Sequence, residues 1–295
     1  MKLSWGPERK SKRPFPRVFL SASVPSPNRN RIYLDGPVEN RLMLRVIETR
    51  VQDAVTSLVA QVLGVGGQVI FGGHPAITPM VAATASAFEG GERDGERPVM
   101  LYQSEYFREA VRPIGRREME SAQLSRTIWV PDNPEDASKA FPLAQEWLQP
   151  DRFKQLREGQ AHPNADRRLV DALVVFRIVM LLDSRPHAAV SMGGMEGVEA
   201  EAMLYQRLFG SDPRRRLFAL RSTFGAAGQL GELGIISIDE RYFESKDRAP
   251  LAESVALLPT AEKQTIGRQL LRRIRYDGIM KEFITSLRNT AFPEQ

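Results

Sequence analysis

Short apolar runs alternate along the chain with longer stretches in which apolar residues recur every three or four positions. The short runs, bounded by glycine, proline or polar residues, predict β-strands, and the longer stretches predict amphipathic helices. Strands are predicted at 17–20, 68–71, 98–102, 127–130, 188–192 and 217–220, and the main helices at 40–64, 80–88, 136–148, 169–182 and 261–287. This alternation predicts an α/β fold: a three-layer Rossmann-like parallel sheet with a C-terminal helical extension.

The loops that follow four of the predicted strands are rich in glycine and small hydroxyl residues. Because the carboxyl ends of parallel strands share one edge of the sheet, we expect these loops to lie together and to bind a ligand. The candidate ligand-binding residues are Ser21, Ser23, Gly72, Gly73, His74, Gly193, Gly194, Met195, Glu196, Gly197, Ser222 and Thr223. The pattern favours a nucleotide or nucleotide-like small molecule, and the alternative is a set of tight turns without a ligand.

The stretch 188–201 carries the most specific of these patterns. It predicts a short buried strand, a glycine turn and the first turns of a helix. Glycines allow the backbone to approach a ligand closely, and the N–H groups at a helix start favour an anion. The glutamates that follow would repel a phosphate, so we expect them to face the sugar or the base of the ligand.

Charge and composition narrow the classes of function. The net charge is +5, but residues 1–17 hold six basic residues against one glutamate, so the remaining chain is balanced. This distribution disfavours nucleic acid as a partner. The chain has no cysteine, and it has no apolar run approaching the ~20 residues of a membrane span. We therefore expect a cytoplasmic protein with no membrane segment, no metal site and no cofactor.

The same patterns divide the chain into three regions. Residues 1–17 form a basic flexible tail, residues 18–245 the ligand-binding domain, and residues 246–295 a C-terminal helical appendage. The appendage is expected either to pack on the core or to contact another protein.

Residues 18–245 resemble the SLOG superfamily, which includes the LOG phosphoribohydrolases, DprA-type proteins and nucleotide-sensing domains of bacterial conflict systems. The run Phe71, Gly72 and Gly73 resembles the family's first glycine loop, and the stretch 193–201 is similar to its GGxGTxxE signature. The stretch 222–227 resembles a serine and glycine turn of the sensor branches.

If the protein is an enzyme, the resemblance also implies which residues are catalytic. LOG enzymes place an arginine about four helical turns before the double glycine and pair it with the last glutamate of the motif. The matching residues are Arg177 and Glu201, and Glu199 competes for the glutamate's role. The arginine would bind phosphate or orient the carboxylate, and the glutamate would stabilise the charge that develops at the ribose C1′.

The chain departs from the family motif in three places. One residue is inserted between Gly194 and Gly197, Val198 replaces the motif threonine, and Met192 stands where the family has a proline. These departures favour the sensor branches, which are often coupled to TIR-domain proteins.

Functions from different classes remain open at this point. One is a sensor or effector module of a bacterial antiviral defence system, binding a nucleotide or an NAD-derived, including cyclic, ligand. It would act with a TIR-domain partner and as a homo-oligomer. Another is an enzyme, a nucleotide N-glycosidase of the phosphoribohydrolase kind. A DprA-like DNA-binding module is disfavoured by the charge distribution, and a plain scaffold is the remaining alternative.

Overall fold

A computed structural model describes residues 16–24, 41–88, 97–108, 124–158, 166–230, 235–239 and 274–291. The predictions for residues 1–15 and 246–273, which cover most of the tail and part of the appendage, lie outside these ranges. Arg17, the last residue of the predicted tail, is the first residue of a strand. Within the described ranges, no helix combines the length and the apolar character needed to cross a membrane.

The described strands form one parallel sheet of seven, in the order β4-β3-β2-β1-β5-β6-β7. Strand addition proceeds outward in one direction from β1 and in the opposite direction from β5, so the chain reverses its direction of winding between these two strands. The predicted Rossmann-like parallel sheet is therefore confirmed. The strands are β1 (Arg17–Ser23), β2 (Gln68–Phe71), β3 (Val99–Ser104), β4 (Ser125–Val130), β5 (Ala188–Gly193), β6 (Arg216–Leu220) and β7 (Ile236–Ser237).

Helices cover both faces of the sheet and complete the three layers. The described helices are α1 (Arg41–Gly64), α2 (Thr78–Ser86), α3 (Pro134–Ala140), α4 (Pro150–Glu158), α5 (Arg167–Ser184), α6 (Glu196–Phe209), α7 (Gly225–Leu230) and α8 (Tyr276–Ala291). Helices α1, α2 and α8 share a hydrophobic core with one face, and α3, α4, α5 and α6 share a second core with the other. Helix α7 lies at the carboxyl edge beside β5.

The region 136–148 differs from its prediction as one helix. Helix α3 ends at Ala140, and a short 3₁₀ turn, Pro142–Ala144, follows it. Pro142 explains the break, because proline has no N–H to continue the helical hydrogen bonds and disfavours helical backbone at the residue before it.

The central strands are buried on both faces, as expected for a parallel sheet between two helical layers. Two serines interrupt this apolar pattern. Ser21 on β1 and Ser191 on β5 are register partners in the ladder, and both are almost completely buried. Side chains of register partners in neighbouring parallel strands point to the same face of the sheet, and the alternation of residues directs these two toward α5 and α6.

Helix α8 packs on the main core, which is the first of the two alternatives for the C-terminal region. Its apolar side chains belong to the same cluster as those of α1, and the ring of Phe283 meets that of Phe218 edge to face at 4.9 Å. The buried side chains of α8 are Tyr276, Ile279, Met280, Phe283, Ile284 and Leu287.

A histidine at the amino end of β5 makes the stability of the fold depend on pH. The backbone N–H of Arg17 donates to Nδ1 of His187 at 2.9 Å. Burial, together with the positive charges of Arg17 and Arg215, lowers the pKa of His187 to about 4. In the unfolded chain a histidine titrates near about 6.5, so between these two values the unfolded state binds a proton that the folded state lacks.

We expect the free energy of unfolding to fall as the pH decreases from about 6.5 to about 4, in part because of His187. The substitution His187→Asn retains an acceptor for the N–H of Arg17 and removes the titration. Urea unfolding at pH 7.5 and pH 5 should show a smaller loss of stability in the variant than in the wild type. An equal loss in both proteins would contradict this assignment.

Candidate functional site

The point where the winding reverses, between β1 and β5, leaves a crevice at the carboxyl edge of the sheet, which is where α/β sheets bind ligands. A cavity of about 320 Å³ lies beside this point. Its walls come from the ends of β1, β2 and β3, the loop after β2, and the facing sides of α5 and α6. The residues predicted for the site that line it are Ser23, Gly72, Gly73, His74, Arg177, Gly197 and Glu201.

Three polar side chains from three elements meet at the inner end of this cavity. The hydroxyl of Ser21 on β1 donates a hydrogen bond to Oε2 of Glu201 on α6 at 2.6 Å. On the other side of the carboxylate, Nε of Arg177 on α5 lies 3.9 Å from Oε1 of Glu201. The pairing of Arg177 with Glu201 that the family resemblance implied is therefore present in the structure.

Burial disfavours the charged forms of both Arg177 and Glu201. Burial raises the pKa of Glu201, while Arg177 and the hydroxyl of Ser21 act in the opposite direction. Burial likewise lowers the pKa of Arg177, and the charge of Glu201 acts against that shift. Because desolvation is the largest cause of both shifts, burial disfavours each charge, and the opposite charge of the partner offsets part of that cost.

The double glycine uses its own N–H groups to hold neighbouring loops. The N–H of Gly194 donates to the carbonyl of Ser23 at 2.8 Å, and that of Gly193 donates to the hydroxyl of Thr223 at 2.7 Å. The carbonyl of Gly194 accepts from the N–H of Ala226 at 3.0 Å. Direct donation from Gly193 and Gly194 to a phosphate is therefore replaced by contacts that fix the loop.

The first turn of α6 is the helix start that borders the cavity. Met195 occupies the N-cap position and gives this turn no side-chain hydrogen bond. Its carbonyl accepts from the N–H groups of Val198 and Glu199 at 3.0 and 3.2 Å, and Gly197 of this turn lines the cavity. A Cβ atom at Gly197 would lie 3.6 Å from Nη2 of Arg177. The guanidinium and the positive end of the helix dipole thus meet beside the cavity, which favours an anion there.

The other eight residues predicted for the site lie outside the cavity walls: Ser21, Gly193, Gly194, Met195, Glu196, Glu199, Ser222 and Thr223. Ser222 and Thr223 are fully buried behind the double glycine, where Thr223 accepts from Gly193 and Ser222 shares a 2.7 Å hydrogen bond with the hydroxyl of Tyr276. Glu196 and Glu199 lie in the first turn of α6 but do not line the cavity. A strand-end position in the sequence identifies the correct edge of the sheet, whereas it does not reveal which way each side chain points.

The cavity also has lining residues that the site prediction lacks, on β3, on the turn after it and on α5. They include Gln103, Ser104, Phe107, Leu173 and Phe176. The first two are polar residues directly after an apolar strand run, the same signal that identified the serines of β1.

A family model described as the SLOG cluster3 family matches the chain in two overlapping segments, residues 47–148 and 139–244. The two segments together span about two thirds of the chain and contain β2 to β7 with most of the cavity. No curated protein and no solved structure gives a significant match.

The conformation of Gly194 leads to a stability prediction. Its φ is +83°, and a Cβ atom there would lie 2.2 Å from Cγ2 of Val198. We expect Gly194→Ala to lower the free energy of unfolding by about 1–3 kcal/mol, and the further change Val198→Ala to recover the steric part of that loss. Urea unfolding of the single and double variants measures both effects.

A matched control for this prediction lies in α8. A Cβ atom at Gly278 would meet nothing within 4 Å. Since alanine is the better helix former, Gly278→Ala should raise the free energy of unfolding by about 0.5–1 kcal/mol. A Gly194→Ala variant as stable as the wild type would contradict the described loop.

The pair of Arg177 and Glu201 leads to a second stability prediction. Either single change, Arg177→Met or Glu201→Gln, removes the partner of a nearly buried charge and should cost about 3 kcal/mol. The double variant should lose clearly less than the sum of the two, in a double-mutant cycle by urea unfolding. The exposed pair Lys139 and Glu135, 2.7 Å apart, is the control cycle and should show no measurable coupling. Additive losses at the buried pair would contradict the interaction.

Proposed function

The chain belongs to the SLOG cluster3 family, and we propose that it binds a nucleotide-derived small molecule in the cavity beside β1 and β5. One observation carries this proposal: a site suited to an anion lies beside a carboxylate in the same cavity. The anion site is the first turn of α6 with Arg177, and the carboxylate is Glu201.

The separation of roles within this cavity supports a phosphorylated ribose. A phosphate accepts hydrogen bonds from N–H groups and a guanidinium, as at other helix starts. A ribose presents hydroxyl groups that donate hydrogen bonds, and a carboxylate accepts such bonds. Burial raises the pKa of Glu201, and Ser21 and Arg177 both act against that shift by favouring the charged form.

A second candidate function, cleavage of the N-glycosidic bond, is favoured by the same carboxylate. An anion beside the ribose C1′ stabilises the oxocarbenium-like transition state of glycoside cleavage. Ser21 holds Glu201 at 2.6 Å, so the carboxylate has a fixed position. Against cleavage stands Val198, which occupies the position of the motif threonine and packs on Gly194.

The wider biological role rests on the family resemblance. A sensor function in a bacterial defence system, a TIR-domain partner, a homo-oligomeric state and a cytoplasmic location stay predictions. Binding without cleavage is the activity that such a sensor requires, and the departures at Val198 and between Gly194 and Gly197 support it.

We expect wild-type protein to be stabilised by nucleoside monophosphates, NAD or a cyclic ADP-ribose compound without release of free base. A ligand at 100 times its Kd adds about 2.7 kcal/mol to the free energy of unfolding, which thermal unfolding detects as a rise in Tm. Free base is measured in the same samples by chromatography. Base release that disappears in Glu201→Gln would instead establish the glycosidase function.

The matched control for Glu201 is Glu199→Gln, which removes a carboxylate from the first turn of the same helix outside the cavity walls. It should leave ligand binding within about twofold of the wild type, because Glu199 does not line the cavity. The absence of both stabilisation and base release with all these ligands would refute the proposed function.

A further inference from the structure

We infer that the end of the cavity away from Glu201 seats a planar nucleobase, and that Gln103 recognises the hydrogen-bonding edge of that base. This end, called the base lobe, lies at β3, which β2 separates from β1 and from the contact of Ser21 with Glu201. Its lining residues are Gln103, Ser104, Phe107, Leu173 and Phe176. The inference rests on the proposed function, since it assigns the second half of the same ligand.

The two ends of the cavity differ in chemistry. At one end lie Arg177, Glu201 and Gly197, which suit a phosphate and a ribose. The base lobe instead offers two aromatic rings and an aliphatic side chain, together with a buried amide and a buried hydroxyl. Apolar walls with a few well-placed polar groups are typical of small-ligand sites, and bases stack on aromatic rings.

Two glycines after β2 give the lobe its inner wall. A Cβ atom at Gly72 would lie 2.9 Å from Cζ of Phe176, and one at Gly73 would lie 2.7 Å from Nε2 of Gln103. The ring and the amide therefore rest directly on the loop backbone. Gly72 and Gly73, which the sequence predicted as ligand-binding residues, thus also make room for these two side chains.

Gln103 can recognise a base edge while keeping an internal contact. Its side chain is 7% exposed at the carboxyl end of β3. An amide carries two N–H donors beside an oxygen with two lone pairs, so it has capacity for a paired hydrogen bond to a base. Next to it, the hydroxyl of Ser104 accepts from the N–H of Tyr106 at 3.3 Å, which leaves the hydroxyl hydrogen available for donation.

The volume of the cavity suits one nucleoside unit. Its volume of about 320 Å³ lies at the lower end of the range of about 300–1,000 Å³ for small-molecule sites. A base with its ribose and phosphate suits such a space, whereas the second nucleoside of a dinucleotide would extend beyond it.

The hydrogen-bonding groups of the Gln103 amide determine which substitutions separate recognition of the base from other effects on binding. An amide can turn over and pair with either adenine or guanine, because each presents an adjacent donor and acceptor. A carboxylate at this position accepts only, so it suits the two neighbouring donors of guanine, N1–H and the 2-amino group, and it repels N1 of adenine. Leucine has a similar volume and no hydrogen-bonding group.

The test compares Gln103→Leu, Gln103→Glu and the exposed control Gln145→Leu with the wild type, using calorimetric titration with AMP, GMP and ribose 5-phosphate. We expect Gln103→Leu to weaken both nucleotides about tenfold and to leave ribose 5-phosphate within about twofold of the wild type. We expect Gln103→Glu to raise the preference for GMP over AMP about fivefold or more. The control should match the wild type.

Each other outcome overturns the base lobe, and one of them also bears on the proposed function. Equal weakening of ribose 5-phosphate and the nucleotides by Gln103→Leu would show that Gln103 only supports the loop, and would overturn the base lobe. An unchanged nucleotide preference in Gln103→Glu would do the same. Binding of ribose 5-phosphate as tight as that of both nucleotides would also overturn it, while the proposed function would stand. Failure of the wild type to bind any of the three ligands would overturn the base lobe, and it would overturn the proposed function too if NAD and the cyclic ADP-ribose compound also fail to bind.

Discussion

The architecture of the site depends on a contact between two backbones that a side chain would prevent. A Cβ atom at Gly225 would lie 2.4 Å from the carbonyl oxygen of Gly194, so the loop after β6 rests directly on the loop after β5. From the other side, the carbonyl of Ser23 accepts from the N–H of Gly194 at 2.8 Å. This stacking of three loops fixes where α6 begins, and hence where Gly197 and Glu201 lie relative to the strands.

The support of these loops continues into the C-terminal helix. The carbonyl of Ser222 accepts from Nη1 of Arg50 on α1 at 2.9 Å. The backbone N–H of Ser222 donates to the carboxylate of Asp239 at 2.8 Å. Its hydroxyl pairs with that of Tyr276, the first residue of α8. All four residues are nearly inaccessible to solvent, so the loop behind the double glycine is held by α1 and α8 together. The cavity and the C-terminal helix are therefore parts of one packed unit.

The sequence predicted the bounds of a strand well where glycines mark its two ends. β2 has the predicted bounds, because glycines flank its apolar run. β3 instead continues through Gln103 and Ser104. Because these two residues are polar, the apolar pattern does not predict that they belong to the strand. The two-residue β7 is too short to produce a periodic pattern. The sequence predicted which edge of the sheet carries the site, and it predicted the pairing of Arg177 with Glu201. It did not predict the residues of the base lobe, because these come together from β3 and α5 only through tertiary packing.

The strand order also has a consequence for how the protein is made. The backbone N–H of Arg17 on β1 bonds to a residue 170 positions later, and the hydroxyl of Ser21 bonds to one 180 positions later. Strands β1 to β4 leave the ribosome before β5 exists, so the edge of β1 that β5 will cover stays open during synthesis. The cavity is complete only after Glu201 has emerged. A ligand bound there would stabilise the finished domain and would not protect the open edge of β1 in the nascent chain.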